Sequence, residues 1–268
     1  MRFVPSTPLT FQDEFVPEEM KLVGLAALVH SMEVMAPVRA PCCVSGRHIR
    51  NQVRMEGAWT LYDKRFWPGG TFGDHLNFAL KHENMDLLVL KRVFEAVSPE
   101  EMQAFVQSAP TGIQARRGWY LYEAWTGNRL DIPDAPNMAY ISLLDPKLYF
   151  AGKPIASKRH KVRDNLLGDD AFCPIIRRTK ALEAFLSLGL GDKVEEVVGR
   201  TGAHLMARAA SFMLLADSRA SFEIEGERPP RNRLERWGKA VLQAGKNPLN
   251  QAEIYRLHRI LIEDNRFT

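Results

Sequence analysis

Residues 98–127 read SPEEMQAFVQSAPTGIQARRGWYLYEAWTG and set out two consecutive helices. Ser98 can cap a helix start, Pro99 suits the first helical position, and Glu101 is the residue that completes a capping box with Ser98. The first helix is predicted to end at about residue 108, because the stretch APTG interrupts it.

The second helix is predicted over residues 113–126, with Gly127 at its C-terminal end. It carries Trp119 and Trp125. Because large aromatic side chains bury much apolar surface, both tryptophans are interpreted as packing residues of a core rather than as a platform for a ligand.

Helical patterns extend over most of the remaining chain. Pro17, followed by two glutamates, predicts a helix start, and the apolar run 20–34 after it predicts a buried helix. Further helices are predicted at about 86–97, 175–188, 192–199, 201–224, 231–244 and 250–263.

The segment 131–170 differs from its surroundings, because prolines interrupt it and it reads as extended chain and loops. Residues 140–144 within it predict a short strand. The sequence therefore predicts a mainly α protein, a multi-helix orthogonal bundle with an irregular, short-strand segment around residues 130–170. Two domains are predicted: a helical N-terminal accessory domain over 1–170 and a second helical domain over 171–268.

The composition is that of a folded protein. Of 268 residues, 46% are hydrophobic and 25% are charged, which excludes a disordered or collagen-like chain. No run approaches 18 apolar residues, so no membrane span is expected, and the first residues lack the apolar run of a signal peptide. Cys42, Cys43 and Cys173 form an odd set with two adjacent members, which suits a reducing compartment. We therefore expect a cytoplasmic protein.

The charge is mildly basic, with a formal net charge of +4. Basic residues cluster within 153–163 and within 228–239. Neither cluster alternates with aromatic residues as nucleic-acid-binding surfaces do, so both are interpreted as solvated faces. A nucleic-acid-binding helical domain is the least favoured function.

Common catalytic motifs do not occur in the chain. It has no GxxxxGK[ST] loop, no GxGxxG, no HExxH and no GxSxG. His75 and His82 lie two helical turns apart but lack an evident third metal ligand, and they are interpreted as structural. Asp169, Asp170 and Cys173 lack the spacing or the base partner that catalysis needs. We predict no catalytic residue, no metal ligand and no bound cofactor in this chain.

The hexamer SFEIEG, which begins at Ser221, has a distinct pattern. Ser221 and Glu225 are four residues apart and share a helix face, and Gly226 fits the helix end. A carboxylate at that end is disfavoured by the helix dipole, so Glu225 is expected to have a compensating cation. An ordinary ion pair with Arg228 or Arg233 is one interpretation.

The hexamer also resembles the inhibitory pattern [S/T]xxxE[G/N] of Fic proteins, in the class where this helix precedes the catalytic core. Long bacterial Fic proteins contain five further phrases that have counterparts here: RRGWYLYEAWTG, a leucine- or isoleucine-Pro-Asp phrase, LDPKLYF, an arginine–tryptophan helix and a Leu-His-Arg helix. The resemblance covers about residues 70–268, and the five phrases lie at 116–127, 132–134, 144–150, 231–237 and 257–259.

The resemblance implies adenylyl transfer. Fic enzymes typically move AMP from ATP onto a hydroxyl of a target protein, so ATP and Mg²⁺ are implied for a full-length enzyme, with a target protein or a partner chain as its partner. Glu225 would engage the final arginine of the catalytic loop and block productive placement of the γ-phosphate. Ser221 would orient Glu225, and Gly226 would let the chain turn away.

The catalytic loop of the family, HxFx[DE]GNGRxxR, is missing from this sequence. The nearest match, at residues 127–129, lacks the second glycine, and Tyr122 stands where the histidine would be. We therefore expect the N-terminal part of a longer Fic protein, inactive on its own. The alternative is a stand-alone inhibitor or interaction module, in which residues 1–170 dock a target or a partner chain.

Overall fold

The computed structural model describes residues 3–48, 53–169, 172–224, 226, 228 and 231–261. The chain divides into two compact units, an N-terminal unit, Met1–Lys180, and a C-terminal unit, Ala181–Thr268. The sequence predicts a boundary after residue 170, and the division between the two units falls after Lys180. Helices predominate among the described residues, so the protein is mainly α, and short strands accompany the helices of the N-terminal unit.

The strands of the N-terminal unit are short. β1 and β2 form a hairpin, β3–β4–β6–β5 form a sheet in that order, and β7–β9–β8 form another. The β4–β6 and β7–β9 pairs are parallel, and the others are antiparallel. The strands are β1 (Thr10–Phe11), β2 (Glu14–Phe15), β3 (Met20–Val23), β4 (Cys42–Ser45), β5 (Val53–Glu56), β6 (Trp59–Tyr62), β7 (Ile141–Ser142), β8 (Ile155–Ser157) and β9 (Val162–Asp164).

The prediction of one buried helix over residues 20–34 is wrong. The first part of that run is β3, which pairs with β4 from Met20 opposite Ser45 to Val23 opposite Cys42. The helix begins only afterwards. A short continuous apolar run suits a buried strand as well as a buried helix, and here a strand distant in sequence decides between them.

The helices of the N-terminal unit share one core. α2 contacts α1, α4 and α5, and α5 also contacts α3. Trp119 and Tyr122 of α5 are fully buried in the core, and Trp125 packs against its edge, so their predicted packing role is confirmed. The helices are α1 (Gly24–Ser31), α2 (Phe72–His82), α3 (Leu87–Ala96), α4 (Pro99–Ser108) and α5 (Ile113–Thr126), with a 3-10 turn at Lys64–Phe66.

The start of α4 follows the prediction in part. Ser98 Oγ accepts the N–H of Glu101 at 3.2 Å. The Glu101 carboxylate, however, accepts the N–H of Phe3 at 2.8 Å, so it ties the beginning of the chain to α4 instead of closing a capping box with Ser98. α5 begins and ends as predicted and is followed by Gly127.

Glu123 of α5 holds the irregular segment in place. Its carboxylate accepts hydrogen bonds from Trp119 Nε1 at 2.8 Å, from the N–H of Leu130 at 2.9 Å and from Arg159 at 2.9 Å. His160 Nε2 lies 3.0 Å from the same carboxylate. Burial opposes its ionisation, but the bonds from Arg159, Trp119 and Leu130 outweigh it and lower the pKa of Glu123 to about 2.

The regular elements that the structure describes in the C-terminal unit are all helices, joined by turns. α6 begins later than the predicted residue 175, because the chain before it is extended and pairs at Tyr149 with Arg177. α9 contacts α8 and α10. The helices are α6 (Lys180–Leu186), α7 (Leu190–Arg200), α8 (Ala203–Ile224), α9 (Arg231–Val241) and α10 (Gln251–Leu261). Within the described ranges, each helix is too short or too polar to cross a membrane.

Candidate functional site

The hexamer identified in the sequence lies at the C-terminal end of α8. The helix ends at Ile224, and Gly226 has a φ of +73°, a left-handed conformation that glycine adopts without strain. The N–H of Gly226 donates to the carbonyl of Glu223 at 3.0 Å. Glu225 lies outside the described residues, so its predicted inhibitory role and its predicted pairing with Arg228 or Arg233 stay predictions.

Ser221 is exposed in the last turns of α8. Its hydroxyl donates to the carbonyl of Asp217 at 3.0 Å. A hydroxyl has one proton, and a carboxylate can only accept. Ser221 therefore has to leave the Asp217 carbonyl by rotation of its side chain before it can donate to a carboxylate at position 225.

The end of α8 is held by contacts with α9. The ring of Phe222 is buried and meets Trp237 edge to face, with 5.4 Å between the ring centroids. One turn earlier, Ser218 is buried and donates to the carbonyl of Leu214 at 2.7 Å. The ring contact fixes this side of α8 next to α9, the hydrogen bond of Ser218 stays within α8, and Ser221 is left exposed to solvent.

Other parts of α8 expose large apolar side chains. Phe212 is 75% exposed and Ile224 is 87% exposed, and Leu205 and Met213 are also mostly exposed. Exposed apolar surface of this extent on a helix is typical of a face that another polypeptide covers.

The two histidines singled out in the sequence both lie on α2, in aromatic surroundings. His75 is fully buried between Phe3 and Trp67, with ring centroids 5.3 and 5.7 Å away. Its ring lies close to the backbone of Gly69 but makes no hydrogen bond of normal geometry among the described residues. Burial lowers the pKa of His75 to about 4. His82 packs against aromatic rings, and no group of three or more metal-ligating side chains occurs in the described part of the chain.

Cys42 and Cys43 have the surroundings of unreactive thiols. Cys42 and Cys43 are buried. Burial and the neighbouring Glu83 carboxyl raise the pKa of Cys42 far above its ordinary value, and burial raises the pKa of Cys43 to about 12. Because the thiolate is the nucleophile, neither side chain is suited to covalent catalysis.

The structure also shows a cavity in the N-terminal unit that no sequence motif indicates. It has a volume of about 240 Å³ and lies between α2, the start of α5 and the segment 143–149. Glu83 at the end of α2 and Gln114 of α5 both line it. These residues are far apart in sequence and fit no known motif, so only the packing of α2 on α5 brings them to one cavity.

Comparisons with protein-family models, with curated proteins and with solved structures find no match for this chain. The function of the protein is therefore inferred from its residues and from the geometry described above.

Proposed function

We propose that this chain is the regulatory N-terminal part of a Fic-type protein adenylyltransferase, an enzyme that transfers AMP from ATP to a hydroxyl of a target protein. In this proposal Glu225 is the inhibitory carboxylate, Ser221 orients it, and Gly226 supplies the turn after it. The orthogonal arrangement of the helices and a cytoplasmic location belong to the same proposal.

One observation carries the proposal: α8 ends at Ile224 and the chain leaves it at Gly226 with a φ of +73°. A carboxylate that follows the last turn of a helix is not enclosed by further turns of that helix, so a position at this helix end is open to an arginine of another segment. The packing of Phe222 on Trp237 supports the proposal, because it holds this helix end in one place.

The exposed apolar surface of α8 supports the same proposal. Phe212 and Met213 are mostly exposed in α8, a helix that contacts α9. A catalytic core that follows in the chain would cover such a surface, and its burial would stabilise the assembled protein.

The proposal assigns no contact with ATP or Mg²⁺ to the residues of this chain. The described residues contain no group of three or more side chains that could hold a metal ion, and the sequence has no phosphate-binding loop. No step of the transfer is therefore assigned to these residues, and their role in the proposal is regulation of a catalytic loop outside residues 1–268.

The test is AMP transfer by the full-length protein expressed from its native reading frame, measured as incorporation of labelled AMP into protein. Glu225→Gly removes the carboxylate that would engage the catalytic arginine. Because loss of one partner of a buried ion pair costs several kcal/mol, we expect a rise in the transfer rate of at least about tenfold.

Glu223→Gly is the matched control, since it makes the same chemical change two residues earlier, at an exposed position of α8. We expect its transfer rate to equal that of the wild type, and Ser221→Ala to give a partial release. A Glu225→Gly enzyme no faster than the Glu223→Gly enzyme would contradict the proposal.

A further inference from the structure

The 240 Å³ cavity of the N-terminal unit is lined by charged and polar groups, among them Glu83, Gln114, and Arg117 with the neighbouring Asp145. It lies apart from the hexamer in α8, and the proposed regulation makes no use of it. Its lining includes Lys81, Glu83, Gln114, Arg117, Asp145 and Tyr149. Its volume is close to that of sites for small metabolites.

The Glu83 carboxyl is one such group. Its Oε1 accepts the N–H of Leu25 at 3.0 Å, and it lies against Gly24, where a Cβ atom would stand 1.5 Å from the same oxygen. Gly24 also has a φ of +59°, so no other residue fits there without strain. Among the described residues no cation forms an ion pair with Glu83. Burial, with a smaller contribution from Asp86, raises its pKa to about 8.

Gln114 contributes an unsatisfied acceptor. Its Oε1 is buried and has no hydrogen-bond partner among the described residues. A buried carbonyl oxygen without a donor is uncommon in folded proteins, because its lost hydration is not compensated. An N–H donor inside the cavity would satisfy it, and a nearby positive charge would ionise Glu83 at the same time.

Arg117 and Tyr149 contribute free donors. Arg117 donates through Nε and Nη2 to the carbonyl of Ser142, at 3.0 and 2.9 Å, which leaves Nη1 available. Tyr149 accepts the N–H of Met85 at 3.1 Å and keeps its own proton for another acceptor. A guanidinium and a hydroxyl together suit a carboxylate.

We propose that this cavity binds a small zwitterion, such as a free amino acid, with its ammonium group at Glu83 and Gln114 and its carboxylate at Arg117 and Tyr149. Glu83 and the unsatisfied Gln114 Oε1 present acceptors to the ammonium group, and Arg117 and Tyr149 present donors to the carboxylate, while Asp145, which also lines the cavity, interacts electrostatically with Arg117. A simple cation would leave Arg117 without a new partner, and a simple anion would leave Glu83 and Gln114 without one.

The experiment is titration calorimetry of the whole chain with the series glycine, β-alanine, 4-aminobutyrate and 6-aminohexanoate. Butylamine and butyrate serve as half-ligands that carry one charge each. We expect at least one zwitterion of the series to bind, with both half-ligands at least tenfold weaker. The absence of binding across the series, or half-ligands that bind as tightly as the best zwitterion, would overturn the proposal.

Two variants locate the site. Glu83→Gln keeps the shape and an acceptor for Leu25, and Gln114→Met keeps the volume, so each is expected to fold and to weaken binding of the best zwitterion at least tenfold. Glu18→Gln, at an exposed position outside the cavity, is the control and is expected to bind as the wild type does. Binding that is unchanged in both folded cavity variants would overturn the assignment to this cavity.

Discussion

The two units bury their side chains to different extents. The N-terminal unit has a continuous core around Trp119, Tyr122 and Leu76, all almost completely inaccessible to solvent. In the described residues of the C-terminal unit, few side chains are buried, and Phe212 and Leu249 are 75% and 80% exposed. The first unit therefore has the interior of an independently folding domain, and the second has a surface suited to burial against further polypeptide.

The stability of the N-terminal unit is expected to depend most strongly on Glu123, which connects α5 to the segment after it. Glu123→Ala leaves Arg159 nearly buried without its main partner, and we expect the N-terminal unit to lose about 4 kcal/mol of stability. Chemical denaturation, followed separately for the two units by hydrogen exchange, measures the loss. Glu95→Ala, which removes only an exposed partner of Arg92, is the control and is expected to cost less than about 1 kcal/mol. Equal losses in the two variants would show that the Glu123 network does not hold the unit together.

Two phenylalanines of α8, Phe222 and Phe212, allow a buried and an exposed position of the C-terminal unit to be compared. Phe222→Ala opens a cavity beside Trp237, and we expect a loss of about 3 kcal/mol in the stability of this unit. Phe212→Ala makes the same change at a mostly exposed position of α8, with an expected effect below about 0.5 kcal/mol. Thermal unfolding of the whole chain, with hydrogen exchange of α8, measures both. A Phe212→Ala loss as large as that of Phe222→Ala would mean that α8 already buries both faces in this chain.

The change in the stability of the N-terminal unit with pH tests the protonation of Glu83. Its pKa is raised to about 8, so between pH 4.5 and 8 the folded unit binds more protons than the unfolded chain, and stability falls as the pH rises. From pH 4.5 to 7 we expect a loss of about 3 kcal/mol, which Glu83→Gln removes. Urea unfolding at a series of pH values measures the slope. Asp86, Cys42, Tyr62 and His82 lie near the same carboxyl, and a slope retained in Glu83→Gln would show that Glu83 is not its source.

His75 is expected to change the stability of the N-terminal unit with pH in the opposite direction and by a smaller amount. Its pKa is lowered to about 4, so its favourable contribution is present above pH 6.5 and is lost as the pH falls towards 4. We expect a loss of about 2 kcal/mol between pH 7 and 4.5, which His75→Phe abolishes while keeping the ring contact with Phe3. The same urea series measures it. An acid loss that persists in His75→Phe would place the titrating group elsewhere.

Most helices could be predicted from local signals, whereas most strands could not. Residues 140–144 are the exception, because the strand predicted there is present as Ile141–Ser142. Ser98, Pro99 and Gly127 mark the ends of α4 and α5 through contacts within a few residues, which the sequence displays directly. The apolar pattern of residues 20–23 predicts a helix, but Met20–Val23 forms a strand, because it pairs with β4, which lies beyond α1 in the chain. Strand pairing is a non-local property, so an apolar run alone does not determine it.

The residues of the candidate sites also differ in whether the sequence alone locates them. Ser221 and Gly226 belong to one short motif, so their positions at the end of α8 followed from spacing alone. Glu83 and Gln114 share a cavity only through the packing of α2 and α5, and the sequence offered no signal for either. A site built from residues distant along the chain needs the fold before it can be identified.

The most direct test of the regulatory assignment is to read the native coding frame beyond the codon for Thr268. The account predicts that the frame continues into a segment with the motif HxFx[DE]GNGRxxR, whose final arginine would be the partner of Glu225. A stop codon at that point, or a continuation without the motif, would contradict the assignment of this chain to a Fic-type enzyme.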